Sequence, residues 1–321
     1  MTPPRPRLSV VLTGRNDNYG GDFAERLVRT LTFNSRHLVA AGISHEFVLV
    51  EWNPIAGKAL LIDLIEEQMP AVAAAIHSIV VDGAYHDALT LNPRLSMLEY
   101  IAKNVGIRRA AGEFVLSTNT DILLGRGVVS ALAGPLGDET LYRVPRIDLN
   151  IGTDVSHVDW DALEDVRLHV RRPVLHPPLY SGGTGDFVLL DRVTFHRLRG
   201  FNEVYRVTRA GLDYNLLVKA YGVGVTIAAL EGAVYHVNHV GSFRLSKHLY
   251  RDSPHDAPWG NQRWHSHHVV YENADSWGLG LAHDAALAPG RTSVTFSWTA
   301  VPPMLDLKRV VLPARVADGQ P

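Results

Sequence analysis

The chain has 321 residues, of which 46% are hydrophobic and 20% charged, a composition typical of a globular protein rather than a disordered one. Lys and Arg total 31 against 33 Asp and Glu, and this near-neutral balance without a basic block argues against a nucleic-acid-binding protein. Cysteine is absent, which excludes disulfides and thiolate metal ligands and fits a reducing, cytoplasmic location. No apolar run reaches the ~18 residues that a membrane span requires.

Strands and helices alternate over the first 120 residues. Apolar, β-branched segments typical of strands buried on both faces occur at 8–13, 46–50, 76–81 and 113–117. Apolar residues at helical spacing separate these strands, and the first predicted helix follows Asp22, which is placed to cap it. This order predicts βαβ units, and therefore a mainly parallel α/β sheet flanked by helices.

The alternation weakens after residue 120. A short helix is predicted at 213–221, and the period-two pattern of 293–298 predicts a late antiparallel strand. Further strand-like segments lie at 140–146, 187–190, 223–228 and 233–237. The second half therefore predicts a smaller, partly antiparallel portion rather than further βαβ units.

Three polar clusters follow predicted strands, at Thr13–Asp17, Glu51–Pro54 and Asn119–Asp121. In an open parallel sheet, ligands bind at the carboxyl ends of the strands, where such clusters meet in space. Each cluster alone is a weak signal, because polar loops follow strands in every α/β protein. Their combination favours a ligand site at this edge of the sheet.

Two carboxylates in these clusters have more than one interpretation. Asp121 lies between apolar segments, where it holds a divalent cation such as Mg²⁺ or Mn²⁺, or serves as a helix cap or loop carboxylate. Glu51 accepts the N–H groups of a uracil or guanine with Trp52 packed beside it, or it is an ion-paired surface residue next to a core tryptophan. The residues alone leave both choices open.

Several motifs over roughly 8–240 resemble GT-A glycosyltransferases, most closely the family-2-like enzymes that use nucleotide sugars. The opening strand LSVVLTGRND and the second strand EFVLVEWNP resemble the nucleotide-binding strands of that family. The run from Asn104 to Phe114 resembles its N-x-G-x-x-x-A-x-G-E-[FY] motif, and Asn119-Thr120-Asp121 stands where the family carries Asp-x-Asp. The segments GDF at 185–187 and GFNE at 200–203 resemble the acceptor side, and Leu212-Asp213 takes the place of a Glu-Asp pair.

The resemblance implies roles for particular residues. The nucleotide would be contacted by Thr13, Gly14, Arg15, Glu51, Trp52, Asn104 and Asn119. The metal ligands would be Asp121 and His236, although a structural role for His236 is the alternative. His239 lies three residues further on, which is the opposite face of a strand, but a loop would bring both histidines together. The catalytic base would be Asp213, with Asp186 as the second candidate.

These roles lead to one functional hypothesis. The protein would be an inverting glycosyltransferase that transfers a sugar from a UDP- or GDP-activated donor to a small-molecule or glycan hydroxyl, with Mn²⁺ or Mg²⁺ on the diphosphate. We expect a disordered tail at 1–7, a catalytic domain at 8–245, and a C-terminal extension at 246–321 that forms part of the acceptor site or a homodimer contact.

Two departures from the family pattern keep alternatives open. Asn119 replaces the first carboxylate of the metal motif, and Leu212 replaces the glutamate before Asp213. Both favour the main alternative, a non-catalytic carbohydrate- or nucleotide-binding protein on the same fold. A sugar-1-phosphate nucleotidyltransferase ranks last, because it needs a Gly-rich loop with Arg and Lys directly after the first strand. The segment GRNDNYGG does not supply that arrangement.

Overall fold

The computed structural model describes most of the first 239 residues and a second segment near the C-terminus. The described residues are 5–153, 155, 158–171, 174–181, 185–206, 211–239, 270–298 and, for the backbone alone, 309–310.

The described strands form three sheets of nine, four and two strands. They are β1 (Leu8–Gly14), β2 (His45–Trp52), β3 (Ile76–Val81), β4 (Phe114–Thr118), β5 (Ile122–Leu124), β6 (Thr140–Arg143), β7 (Arg146–Leu149), β8 (His169–Arg171), β9 (Phe187–Asp191), β10 (Thr226–Ala229), β11 (Val234–His236), β12 (Val270–Tyr271), β13 (His283–Ala288), β14 (Arg291–Thr295) and β15 (Arg309–Val310).

The main sheet has the strand order β10-β6-β9-β4-β1-β2-β3-β14-β13. Its centre is parallel, because β1 pairs in parallel with both β2 and β4, and β2 pairs in parallel with β3. Strand β9 runs antiparallel between β4 and β6. The predicted mainly parallel α/β sheet is therefore confirmed, with antiparallel strands contributed by the second half of the chain.

A second sheet, in the order β5-β11-β7-β8, lies next to the end of β4. Only three residues separate β4 from β5, so the chain passes directly from the main sheet into this smaller one. Strand β11 pairs antiparallel with β5 and in parallel with β7. This smaller sheet positions the side chains that follow β4.

The helices cover both faces of the main sheet. They are α1 (Phe23–Ala40), α2 (Leu61–Gln68), α3 (Pro70–Ala73), α4 (Gly83–Leu89), α5 (Glu99–Arg109), α6 (Arg126–Ala133), α7 (Trp160–Glu164), α8 (Arg192–Leu198) and α9 (Leu212–Gly222).

Successive side chains of β1 point to opposite faces, as the period of a strand requires. Val10 and Leu12 pack in a cluster with residues of α1, α2 and α6, whereas Val11 packs with α5, α8 and α9. Helix α5 approaches the sheet closely at Gly106, where an added Cβ would lie 2.6 Å from a methyl group of Val11. Burial on both faces explains why β1 is predominantly apolar.

Part of the segment predicted as a C-terminal extension belongs to the main fold. Strand β14 pairs in parallel with β3, and β13 adds to it as an antiparallel strand. Trp277 and Leu279, which are 4% and 1% exposed, pack in the core beside α5. The strand predicted at 293–298 is present, but it ends at Thr295.

Three local expectations need correction. The helical spacing of Leu95, Leu98 and Ala102 predicts a helix that begins near Leu95, but α5 begins at Glu99, and Leu95 is buried ahead of it. The side chain of Asp22 makes no cap hydrogen bond, because it forms an ion pair with Arg26 instead. Arg7, expected in a disordered tail, donates from its Nε to the Leu132 carbonyl at 2.9 Å.

Candidate active site

A cleft of about 270 Å³ opens at the carboxyl ends of β1 and β4, the position predicted from the sequence. The loop after β1, the turn after β4, the end of β11 and the segment before α5 form its walls. The lining residues are Thr13, Gly14, Arg15, Asp17, Tyr19, Phe23, Arg94, Leu95, Ser96, Met97, Glu99, Asn119, Thr120, Asp121, Arg146, Asp186, His236 and His239.

Asp121, His236 and His239 form a cluster whose ligand atoms all lie within 4.8 Å of one another. Antiparallel pairing of β5 with β11 places His236 opposite Ile122, and the amide of Val237 donates to the Asp121 carbonyl at 2.9 Å. Each histidine Nε2 is 3.5 Å from Oδ2 of Asp121. His236 closes the strand and His239 follows in the loop, so the loop gathers both histidines despite their spacing.

The cluster is buried and highly polar. Asp121 is 9% exposed, and its Oδ1 makes no hydrogen bond to any described residue. Burial raises the pKa of Asp121, but the charges and hydrogen bonds of His236 and His239 outweigh this effect and hold the pKa well below its usual range. Burial lowers the pKa of His236, whereas Asp121 and Asp148 raise it, with a net result of about 9.

This donor set fits a divalent cation. One carboxylate and two imidazoles converge on one point, and the unpaired Oδ1 of Asp121 offers a further lone pair. Imidazole nitrogen suits transition metals, whereas Mg²⁺ prefers a shell made of oxygen alone. The residues present therefore fit a metal such as Mn²⁺ better than they fit Mg²⁺.

Asn119 does not point its carbonyl at this cluster. Its Oδ1 accepts a 2.7 Å hydrogen bond from Nζ of Lys103, and its amide group donates to Asp186. Lys103 is fully buried and is also paired with Glu99 at 3.1 Å. Where the family pattern has a second metal-binding carboxylate, this chain has an amide bonded to a buried lysine. Asn119 lines the cleft, but its side chain is oriented by Lys103 and Asp186 rather than toward the metal cluster.

The end of β1 and the loop after it form the opposite wall, with the predicted residues Thr13 and Gly14 in the strand and Arg15 in the loop. Nε of Arg15 donates to the Asn53 carbonyl at 2.7 Å, which links this loop to the one after β2. The loop also reaches the metal cluster at Gly20, which has a φ of +77°. A Cβ at Gly20 would lie 2.5 Å from Nδ1 of His239, so only glycine fits at this contact.

Glu51 and Trp52 do not line the cleft, and both are fully buried. Oε2 of Glu51 accepts a 2.8 Å hydrogen bond from the Leu61 amide, while Oε1 makes no hydrogen bond of normal geometry to a described residue. Burial raises the pKa of Glu51 to about 7, against the opposing effect of the Leu61 and Asn16 amides. Trp52 donates to His86 in the core, so its expected position beside a nucleotide needs correction.

Asn104 also lies away from the cleft. Its side chain is fully buried, donates to the Phe201 carbonyl and to Glu203, and accepts from the Phe201 amide, each at 2.8 Å. It therefore holds the GFNE segment against α5, and the expectation of a nucleotide contact is corrected. The sequence matches the motif, but the asparagine of the motif has a structural role in this protein.

Glu203 makes the stability of this region depend on pH. Burial raises its pKa to about 7, against the opposing hydrogen bonds from Asn104 and the Gly278 amide. The folded protein therefore binds a proton that the unfolded chain releases near pH 4.5, so stability falls as the pH rises from about 4.5 to 7. Glu203→Gln keeps an acceptor for both donors but cannot titrate. Over this pH range we therefore expect the free energy of unfolding to fall by ~2–4 kcal/mol more in the wild type than in the variant.

Urea unfolding of wild type and Glu203→Gln at several values between pH 4.5 and 8 measures the effect. Other buried groups titrate in both proteins, so the difference between the two curves isolates Glu203. Parallel curves would show that Glu203 is not the group responsible.

The two predicted catalytic carboxylates occupy different positions. Asp186 lines the cleft, but both of its oxygens are engaged, by the Asn119 amide and by Arg146 at 2.6 Å. Asp213 lies in the first turn of α9, directly behind Gly185 and outside the cleft lining formed by described residues. Burial lowers the pKa of Arg143 and the charges of Asp213 and Asp186 oppose it, so both carboxylates lie near this buried cation.

The sequence reasoning missed Arg146 and Asp148 and did not commit to His239. Arg146 lines the cleft, and Asp148 is 1% exposed and bonded to His236. The sequence signal for these two residues is that Arg146 and Asp148 are two positions apart and so lie on one face of a strand. This signal is weak unless it is known that their strand pairs with β11.

Neither a protein-family model nor a curated protein matches the chain. Several of the solved structures to which it is similar are GT-A glycosyltransferases. One is the mannosyltransferase PcManGT from Pyrobaculum calidifontis in complex with GDP-Man and Mn²⁺, with 15% identity and a TM-score of 0.42. That match covers 73% of this chain and 58% of the mannosyltransferase, so the chain spans little more than half of its length.

Two further similar structures are TarS, another of these glycosyltransferases, and a CTP transferase. S. aureus TarS 1–349 in complex with UDP-GlcNAc shows 13% identity and a TM-score of 0.42, covering 81% of this chain and 69% of that one. The inositol-1-phosphate CTP transferase from T. maritima shows 11% identity and a TM-score of 0.38, covering 77% and 96%. Because these likenesses are distant, the choice of function depends on the residues of the cleft.

None of the helices in the described part of the chain is both long enough and apolar enough to cross a membrane.

Proposed function

We propose that this protein is a metal-dependent glycosyltransferase that uses a UDP- or GDP-activated sugar. The observation that carries the proposal is the cluster of Asp121, His236 and His239 at the end of β4, facing the loop after β1 across one cleft. A divalent cation in a cleft of about 270 Å³ at strand ends suits the departure of a nucleoside diphosphate.

Asp121, His236 and His239 would hold the metal, which when bound stabilises the charge that grows on the departing diphosphate. Arg15 lines the same cleft and its Nε donates to the Asn53 carbonyl in the neighbouring loop, which supports a role for this guanidinium in donating to phosphate oxygens. The backbone of Thr13 and Gly14 supports the nucleotide at the end of β1. Mn²⁺ is the proposed ion, because two of the three ligands are imidazoles.

Asp213 is the proposed general base for the acceptor hydroxyl. Asp186 is closer to the cleft, but both of its oxygens already accept hydrogen bonds, from Arg146 and from the Asn119 amide. We therefore assign Asp186 to organising the wall of the cleft. The non-catalytic alternative keeps one observation in its favour, the Asn119–Lys103 pair where a second carboxylate would stand.

A thermal-shift comparison of UDP, GDP and ADP, each with and without Mn²⁺, tests the proposal. A ligand that binds only the folded state at 100 times its Kd stabilises it by about 2.7 kcal/mol, which is easily measured. We expect UDP or GDP to stabilise the protein only with Mn²⁺ present. Equal shifts with and without the metal would contradict the role of the cluster.

Glu51 is the proposed acceptor for the N–H of a uracil or guanine base. The buried Oε1, which no described residue satisfies with a normal hydrogen bond, supports this role. The role requires the base to reach beyond the described cleft lining to the end of β2, beside Leu61. Because its pKa is about 7, Glu51 ionises between pH 6 and 8, and a carboxylate is a stronger acceptor than the protonated acid, so nucleotide binding should strengthen over this range.

At pH 8 we expect Glu51→Gln to weaken UDP or GDP binding roughly ten- to a hundredfold, the value of a charged hydrogen bond. The variant should also lose the increase in affinity between pH 6 and 8. Isothermal titration calorimetry with Mn²⁺ present measures both effects. Wild-type affinity in the variant, or equal binding of ADP and UDP by the wild type, would remove Glu51 from the base site.

A further inference from the structure

A buried carboxylate that is not one of the candidate metal ligands, that of Asp148, lies behind the metal cluster. Nδ1 of His236 lies 3.0 Å from Oδ1 of Asp148, on the side of the ring away from Asp121. A carboxylate accepts here and cannot donate, so Nδ1 carries a proton, and Nε2, which faces Asp121, is the nitrogen that would give up its proton to a cation. Nε2 is the nitrogen that lies 3.5 Å from Oδ2 of Asp121.

The strand register fixes this contact. Strands β7 and β11 pair in parallel, and Asp148 is the register partner of His236. Both side chains therefore point to the same face of the small sheet, and a shift of one residue would turn Asp148 to the other face. Their proximity follows from the backbone rather than from a side-chain rotamer alone.

Arg146 keeps Asp148 ionised and in place. Asp148 is 1% exposed, and a buried carboxylate is costly unless it is paired. Nε of Arg146 lies 3.0 Å from Oδ1 of Asp148, while Nη1 of the same guanidinium binds Asp186 at 2.6 Å. One arginine thus ties Asp148, behind the metal cluster, to Asp186 on the wall of the cleft.

We propose that Asp148 is a positioning residue for the metal, which fixes the tautomer and ring orientation of His236 so that Nε2 faces the cation. The inference rests on the proposed metal site. Carboxylates that accept from the distal nitrogen of a metal-binding histidine contribute 10–100-fold to metal affinity in other proteins. Asp148 does not itself contact the metal position.

The first test measures the Kd of Mn²⁺ and Zn²⁺ for the full chain by calorimetry, without nucleotide. We expect Asp148→Asn to weaken both about 10–100-fold. Asp186→Asn is the matched control, because it removes the other carboxylate from Arg146 without touching His236, and it should change the Kd by less than threefold. The melting temperature of each variant in EDTA shows whether the fold is intact.

A second test uses the wild type and does not depend on how the variants fold. Long-range ¹⁵N–¹H correlation spectra of the Zn²⁺-loaded protein report which nitrogen of His236 carries the proton, since Zn²⁺ is diamagnetic. The proposal requires the Nδ1–H form with Nε2 bound to the metal.

Ligation of His236 through Nδ1, or equal losses of affinity in Asp148→Asn and Asp186→Asn, would overturn the inference. If Asp148→Asn binds Mn²⁺ as the wild type does, the inference fails while the metal site stands. If the wild type binds neither cation, the inference fails, and so does the claim that the proposed function uses a metal.

Discussion

Asp121→Ala is expected to abolish the stabilisation of the protein by Mn²⁺, both alone and with a nucleoside diphosphate. Asp121 is the single carboxylate of the cluster and lies within 3.5 Å of both histidines, so its loss removes the charge that balances the cation. Two imidazoles alone form an incomplete site with no negative charge. A loss of at least a hundredfold in Mn²⁺ affinity is expected from calorimetry.

Asp17→Ala is the control for this experiment. Asp17 lines the same cleft, is partly exposed and forms an ion pair with Arg15, but it is not part of the metal cluster. Its removal should leave the affinity for Mn²⁺ alone within about threefold. His239→Ala should weaken Mn²⁺ binding to a degree between these two variants, because Asp121 and His236 remain. If Asp17→Ala and Asp121→Ala behaved alike, the metal would lie elsewhere in the cleft.

Asp213→Asn is expected to lower turnover of a nucleotide sugar by ~10²–10⁴-fold, the usual contribution of a positioned base. The amide keeps the shape of the side chain in the first turn of α9 but cannot take the proton of the acceptor hydroxyl. Donor affinity should change by no more than a few-fold, because the carboxylate acts on the acceptor. Steady-state kinetics with a titrated donor separates the two effects.

Asp186→Asn distinguishes the two carboxylates. If Asp186 only organises the cleft wall through Arg146 and Asn119, its replacement should raise the KM for the donor more than it lowers kcat. The opposite result, with near-normal turnover in Asp213→Asn and a large loss of kcat in Asp186→Asn, would transfer the role of base to Asp186. A loss of nucleotide binding in Asp213→Asn would give Asp213 a structural or donor-side role.

The central fold was predictable because its strands are buried on both faces. Segments such as 8–13 and 46–50 are predominantly apolar on both faces, which is typical of strands in a covered parallel sheet. The strands near the C-terminus were harder to place, since β13 is mostly exposed and its sequence HDAALA lacks β-branched residues. That β14 joins β3 depends on a pairing across more than 200 residues, which no local pattern encodes.

The candidate site was predictable only where residues follow strands directly. Asp121 and the loop after β1 come straight after apolar strands, so their position at one sheet edge follows from topology. The smaller sheet brings His239 and Asp148 to the cluster. The pairing of its strands β5, β11 and β7 cannot be predicted from the sequence of any single segment. Asn104 shows the opposite error, because a matching motif residue turned out to hold a loop rather than line the cleft.

Release of nucleoside diphosphate from UDP- and GDP-sugars, with Mn²⁺ present and with Asp121→Ala as the comparison, tests the proposed function most directly. The account predicts Mn²⁺-dependent release from at least one of these donors by the wild type, and none above background by Asp121→Ala. Binding of the donor by the wild type without any release, across a panel of sugar acceptors, would contradict an enzyme and favour the non-catalytic binding protein. Release that continues unchanged in Asp121→Ala would contradict the metal cluster as the site of the reaction.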